Sequence, residues 1–158
     1  MISIVIAGLP PSDNHAYENV PLVRRGANVF GGGRRLTEKG RSYKVETTNH
    51  IARNYTAELR MFRQNIPYTV WCVLYFPDVE NKGYPKRTDT RYKKFDGMNR
   101  TKLLFDVISE LTGCDDSSFL NVVVSKRVGI ERTEVLIWDA EIEAAELNKA
   151  IERFGKEA

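Results

Sequence analysis

The run Tyr68-Thr-Val-Trp-Cys-Val-Leu-Tyr-Phe76 constrains the fold more than any other stretch of the chain. It is rich in β-branched and aromatic residues and is bounded by Pro67 on one side and Pro77-Asp78 on the other, so it reads as a central, well-buried strand. A second strand is written in the first residues. Ile2, Ile4 and Ile6 alternate with Ser3, Val5 and Ala7, the period-two pattern of a half-buried strand, which ends at Gly8 before Pro10-Pro11.

Between these strands the pattern changes. Ser12 to Gly33 is loop-like, with prolines, Asn14, Asn19 and the triplet Gly31-Gly32-Gly33, and residues 12–35 and 80–95 are expected to be flexible loops. Thr37 is placed to cap a long helix reaching about Gln64, with Tyr43, Val45, Ile51, Tyr55, Leu59 and Phe62 along it. A second helix is predicted from about Met98 to Thr112, stopped by Gly113. Phe119–Lys126 and Thr133–Trp138 read as two strands joined around Gly129 in a hairpin, and a last amphipathic helix runs from about Ala144 to Phe154. The expectation is a single α+β domain over residues 1–158, with a mixed β-sheet, a long N-terminal helix, a central helix carrying the site and a C-terminal helix.

Composition excludes several classes. With 42% hydrophobic and 28% charged residues the chain is neither disordered nor a membrane protein, and its start lacks the basic residues of a signal peptide, so a cytoplasmic location is expected. Only Cys72 and Cys114 are present, without nearby histidine spacing, which argues against a disulfide framework and against zinc. The glycine triplet is not a P-loop, because no Gly-Lys-Ser/Thr ending follows it.

The chemistry concentrates between residues 82 and 116. Lys82, Lys86, Arg87, Arg91, Lys93, Lys94, Arg100 and Lys102 are interleaved with Tyr84, Tyr92 and Phe95, against only Asp89 and Asp96. This basic segment leads into Asp96-Gly-Met-Asn99-Arg-Thr-Lys102-Leu-Leu-Phe-Asp106, and then Gly113-Cys-Asp115-Asp116. At about 100° per residue, Asn99, Lys102, Asp106 and Ser109 share one side of the helix, and Leu104, Val107, Ile108 and Leu111 share the other. Cations that hold a phosphate backbone beside carboxylates that hold a metal are what phosphodiester hydrolysis requires. Each residue also has an ordinary structural role open to it. Asp96 suits a helix N-cap shared with Asn99, Asp106 suits a salt bridge with Lys102, and Asp115-Asp116 suits a turn.

Three motifs in order carry a family resemblance. Gly8-Leu-Pro-Pro-Ser-Asp-Asn14-His-Ala-Tyr17 resembles the opening of the RusA-type Holliday junction resolvases, and Gly33-Arg-Arg-Leu-Thr-Glu-Lys-Gly40-Arg-Ser-Tyr43 is similar to the start of that family's long helix. The family's Asp-x-Asp-Asn-x-x-Lys, a further Asp and a Gly-x-Asp-Asp turn fall here on Asp96, Met98, Asn99, Lys102, Asp106 and Gly113-Cys-Asp115-Asp116.

The resemblance implies a magnesium-dependent (or manganese-supported) endodeoxyribonuclease of phage or prophage type. Such enzymes act as homodimers that cut four-way DNA junctions in recombination and repair. Asp96 and Asp116 would be metal ligands with Asp115 beside them, Lys102 would meet the scissile phosphate, and Asn99 and Asp106 would support the site. Lys86, Arg87, Arg91, Lys93, Lys94, Arg100 and Asn14 would contact DNA. One departure stands out. The second acid of the family's pair falls on Met98, whose thioether is no hard oxygen donor for magnesium, which opens the alternative of a catalytically impaired branched-DNA-binding protein.

Overall fold

The structure, a computed structural model, describes residues 1–25, 28–93, 96–142, 148, 149, 151 and 152. In chain order its elements are β1 (Ile2–Ala7), the single turn α1 (Asp13–Ala16), β2 (Tyr17–Asn19), β3 (Leu22–Arg25), β4 (Asn28–Gly31), β5 (Arg34–Leu36) and α2 (Glu38–Asn54). There follow α3 (Thr56–Leu59), β6 (Tyr68–Phe76), α4 (Met98–Thr112), β7 (Phe119–Val128) and β8 (Arg132–Asp139).

Four strands form one sheet in the order β1-β8-β6-β7. β6 pairs antiparallel with β8 and parallel with β7, while β1 pairs antiparallel with β8, so the sheet is mixed and the α+β expectation holds. The alternation along β6 explains why its sequence is apolar throughout. Tyr68, Val70, Cys72, Leu74 and Phe76 enter the main core with Ile4 of β1, Ile51 of α2 and Leu104, Val107 and Ile108 of α4, whereas Val73 and Tyr75 pack with Leu136 and Trp138 on the opposite face. Trp71, which joins that second cluster from a partly buried position, donates its indole N–H to Ser125 Oγ at 2.9 Å.

The expected hairpin is corrected by the strand order. β7 and β8 both pair with β6 and not with each other, because the most apolar strand takes the centre of the sheet and separates its two neighbours. Residues 129–131 pass across the end of β6. Gly129 N–H donates to Phe76 O at 2.8 Å, and a Cβ on Gly129 would lie 3.0 Å from the Tyr75 ring. Strands β6 and β7 are instead joined through α4, the crossover that a parallel pair requires.

Two further expectations change. The long helix ends at Asn54, not near Gln64, because Tyr55 leaves helical geometry (φ −128°) and its hydroxyl is tied to the backbone of Val5, accepting from N at 2.9 Å and donating to O at 3.0 Å. Much of the stretch from Ser12 to Gly33 is strand among the described residues. β2 pairs with β5 and β3 with β4, and Gly31, Gly32 and Gly33, all at φ between 80° and 85°, turn the chain from one ribbon into the other.

Residues 81–91 do lack helix and strand, with a single bridge between Glu80 and Tyr92 closing the base. The helix predicted over 144–154 falls mostly outside the described residues. No helix among the described residues is long and apolar enough to cross a membrane.

Candidate active site

Helix α4 carries most of the candidate residues, and its amphipathic pattern sets their direction. Leu103, Leu104, Phe105, Val107 and Ile108 are buried, Gly113 closes the helix at φ +69°, and Lys102 stays exposed. Phe105 meets Phe119 of β7 edge to face at 5.7 Å, and Gly97, just before the helix, sits close to Val124 of the same strand. α4 therefore lies along β7. A cleft of about 370 Å³ opens between them, lined by Met98, Thr101, Lys102, Phe105, Asp116, Phe119 and Val122.

That cleft brings together Lys102, Asp116 and Met98. Asp116 opens the 3₁₀ turn Asp116–Ser118 leading into β7, and Met98, 57% exposed, faces solvent at the first position of α4. An ammonium and a carboxylate in one open cleft are suited to a phosphate and a metal-bound or free water respectively.

Other candidates are occupied locally. Asp96 Oδ1 accepts from the backbone N–H of Asn99 at 3.2 Å, and the Asn99 amide donates to Asp96 Oδ2, so the pair caps the start of α4 as its structural reading anticipated. Asp115 accepts from Ser117 N–H at 2.8 Å, and the Ser117 hydroxyl and N–H hold its carboxyl below the usual carboxylate range. Asp106 does not take the role of a partner for Lys102. It accepts instead from the Tyr17 hydroxyl at 2.8 Å, while the Lys102 ammonium lies 5.9 Å from the Tyr17 ring centroid.

Among the described residues no group of three or more His, Cys, Asp or Glu side chains could hold a metal ion. The reason is visible in the chain path. Asp96 precedes α4 and Asp116 follows it, and a helix of 15 residues is about 22 Å long. Asp96, Asp115 and Asp116 of one chain thus do not fit a preformed magnesium cage, and Met98 adds no oxygen donor to the cleft.

The basic segment divides by partner. Arg91 is paired with Glu80 at 3.0 Å and stacks over Tyr92, Lys93 is paired with Asp78 at 3.0 Å, and Arg100 donates to Pro10 O at 2.8 Å. Lys86 and Arg87 are exposed at the loop's outer part, and Asn14 is exposed on α1. Lys94 lies outside the described residues.

Sequence reasoning missed the role of Tyr17. Its ring lies beneath the Arg34 guanidinium at 4.7 Å as well as near Lys102, and Arg34 is itself held by Asp13 at 2.8 Å. Burial, followed by the hydrogen bond to the Asp106 carboxylate, pushes the Tyr17 hydroxyl above the ordinary tyrosine range. The only sequence signal was an aromatic residue closing the Pro-Pro-Ser motif. Its partner lies 89 positions away.

The fold thus combines a mixed sheet with a βαβ crossover helix, a cleft lined by a lysine and a carboxylate, and a basic loop feeding that helix. The chain belongs to the RusA endodeoxyribonuclease family, whose description, Endodeoxyribonuclease RusA, matches residues 16–138. No curated protein matches the chain.

Proposed function

We propose that this protein is a magnesium-dependent, structure-specific endonuclease that acts on four-way DNA junctions in recombination and repair and works as a homodimer, each subunit cutting one strand. The observation that carries the reading is that Lys102 and Asp116 line one solvent-open cleft within the span that the family model matches. Magnesium commonly binds through one or two carboxylates together with substrate phosphates, so the lack of a preformed cage among the described residues is compatible with an ion shared with DNA. Bound there, it would supply charge stabilisation and an activated water. Asp116 is the donor in the cleft. Lys102 would hold the scissile phosphate, Asp96 and Asn99 would fix the head of the helix, and Asp115 would fix the turn that presents Asp116. Lys86, Arg87 and the neighbouring cations would hold the backbone of the junction arms, which makes affinity fall linearly in log salt.

A second reading is favoured by one specific observation. Met98 occupies the cleft where the family places an acid, and this supports a branched-DNA-binding protein that has lost cleavage. One experiment separates the two: a mobile four-way junction is incubated with wild type and Asp116→Asn, with and without magnesium or manganese. Metal-dependent nicking by wild type alone supports the nuclease. Tight junction binding without nicking in either metal supports the binding protein, and equal affinity for junction, duplex and single strand at one salt concentration removes both.

A further inference from the structure

We infer that Tyr17 is the positioning residue for Lys102, holding its ammonium beside the Tyr17 ring and off the Asp106 carboxylate; the inference rests on the proposed role of Lys102 at a phosphate. Lys102 and Asp106 are four residues apart on α4, the spacing at which lysine and carboxylate pair on a helix surface. Such a pair would draw the ammonium down the helix, along its own axis and away from Met98 and Thr101. Tyr17 prevents this in two ways. Its hydroxyl donates to Asp106 Oδ2 at 2.8 Å and so occupies the carboxylate, and its ring offers Lys102 an alternative seat at 5.9 Å.

The seat is itself rigid. Tyr17 begins β2, which pairs with β5 at Leu36, and the turn before it is fastened to the start of α2, where Thr37 N–H donates to Ala16 O at 2.9 Å and the Thr37 hydroxyl to His15 O at 2.6 Å. Arg34 over the same ring, anchored by Asp13, fixes the ring's plane. A tyrosine carried by the N-terminal segment thus sets the direction of a lysine on the central helix, which neither residue's own neighbours would do.

The test reads Lys102 directly. In protein whose lysines carry ¹³C-dimethyl groups, the Lys102 resonance, identified by its loss in Lys102→Arg, is expected upfield of the other lysines through the ring current of Tyr17. Tyr17→Leu should abolish the displacement. Tyr17→Phe should reduce it, because the freed Asp106 captures the ammonium, and Tyr17→Phe/Asp106→Asn should restore it. On unmodified protein, Tyr17→Leu should slow single-turnover junction cleavage about tenfold with junction affinity changed less than twofold.

A Lys102 signal that is undisplaced in wild type, or displaced equally in Tyr17→Leu, overturns the inference. So does a double variant that behaves like Tyr17→Phe. Because the resonance is read without DNA or metal, a displaced signal in a wild type that cuts nothing supports the hold of Tyr17 on Lys102 and counts against the nuclease reading alone.

Discussion

Gly40 in the first turn of α2 packs directly beneath Ala16, so that a Cβ at residue 40 would overlap the Ala16 carbonyl oxygen. The same carbonyl accepts the Thr37 N–H, which means that the turn carrying Tyr17 is docked on the helix start by a hydrogen bond and a close backbone approach together. Alanine in place of glycine ordinarily favours a helix by about 1 kcal/mol. Here overpacking against backbone should outweigh it. Gly40→Ala is expected to lose about 1–3 kcal/mol in urea unfolding, and a variant more stable than wild type would show that the turn is not docked on α2.

The capping pair at the head of α4 makes a prediction that separates structure from chemistry. Asp96 accepts the Asn99 N–H, a role that asparagine can fill but alanine cannot, so Asp96→Ala should cost about 1 kcal/mol and Asp96→Asn only a few tenths. The family resemblance also makes Asp96 a metal ligand, and on that reading Asp96→Asn should abolish junction cleavage while leaving junction binding nearly intact. Cleavage at the wild-type rate would reduce Asp96 to a cap.

What the sequence disclosed and what it concealed follow from the range of the interactions. β6 was legible because its apolar run has no polar face to confuse the pattern, and α4 because Gly113 and the spacing of its leucines mark a helix within one window. The places of Asp96, Lys102, Asp106 and Asp116 along one helix and its exit turn were legible for the same reason, though of the four only Lys102 and Asp116 line the cleft. The hairpin reading failed for the opposite reason. Strands adjacent in sequence are not adjacent in space here, because Gly129 lets the chain step over Phe76 and leave β6 between them. Tyr17 and Asp106 meet only in the folded chain, and no local pattern announces a contact of that separation.

Burial of the two cysteines leads to a prediction about alkali. Cys72 lies at the centre of β6 with no exposure, and burial pushes its thiol up to about 12. An ordinary cysteine in the unfolded chain ionises near 8.5, so the unfolded state releases its proton first as pH rises. The stability that Cys72 contributes is therefore complete below that value and is lost progressively as pH climbs toward the folded value. Denaturant midpoints should decline between about pH 9 and 11, and Cys72→Ala should flatten that decline. Neither Cys72 nor Cys114 should react with a thiol reagent at neutral pH until the protein is unfolded.

Met98 offers the most direct test of the cleft. It is 57% exposed at the first position of α4, so replacing it removes no core packing, and a carboxylate there is favoured by the positive end of the helix. Met98→Asp should leave stability within about 0.5 kcal/mol of wild type. It would place a second carboxylate two residues from Asp96 at the head of the helix, and a divalent cation gains affinity with each added hard oxygen donor. Calorimetric titration with manganese should show binding tightened about tenfold relative to wild type, and the gain should vanish in Met98→Asp/Asp96→Asn. Unchanged affinity in Met98→Asp would mean that a cation does not sit between these two positions. Junction cleavage that rises with metal affinity in the same variant would identify Met98 as the residue limiting the wild-type enzyme.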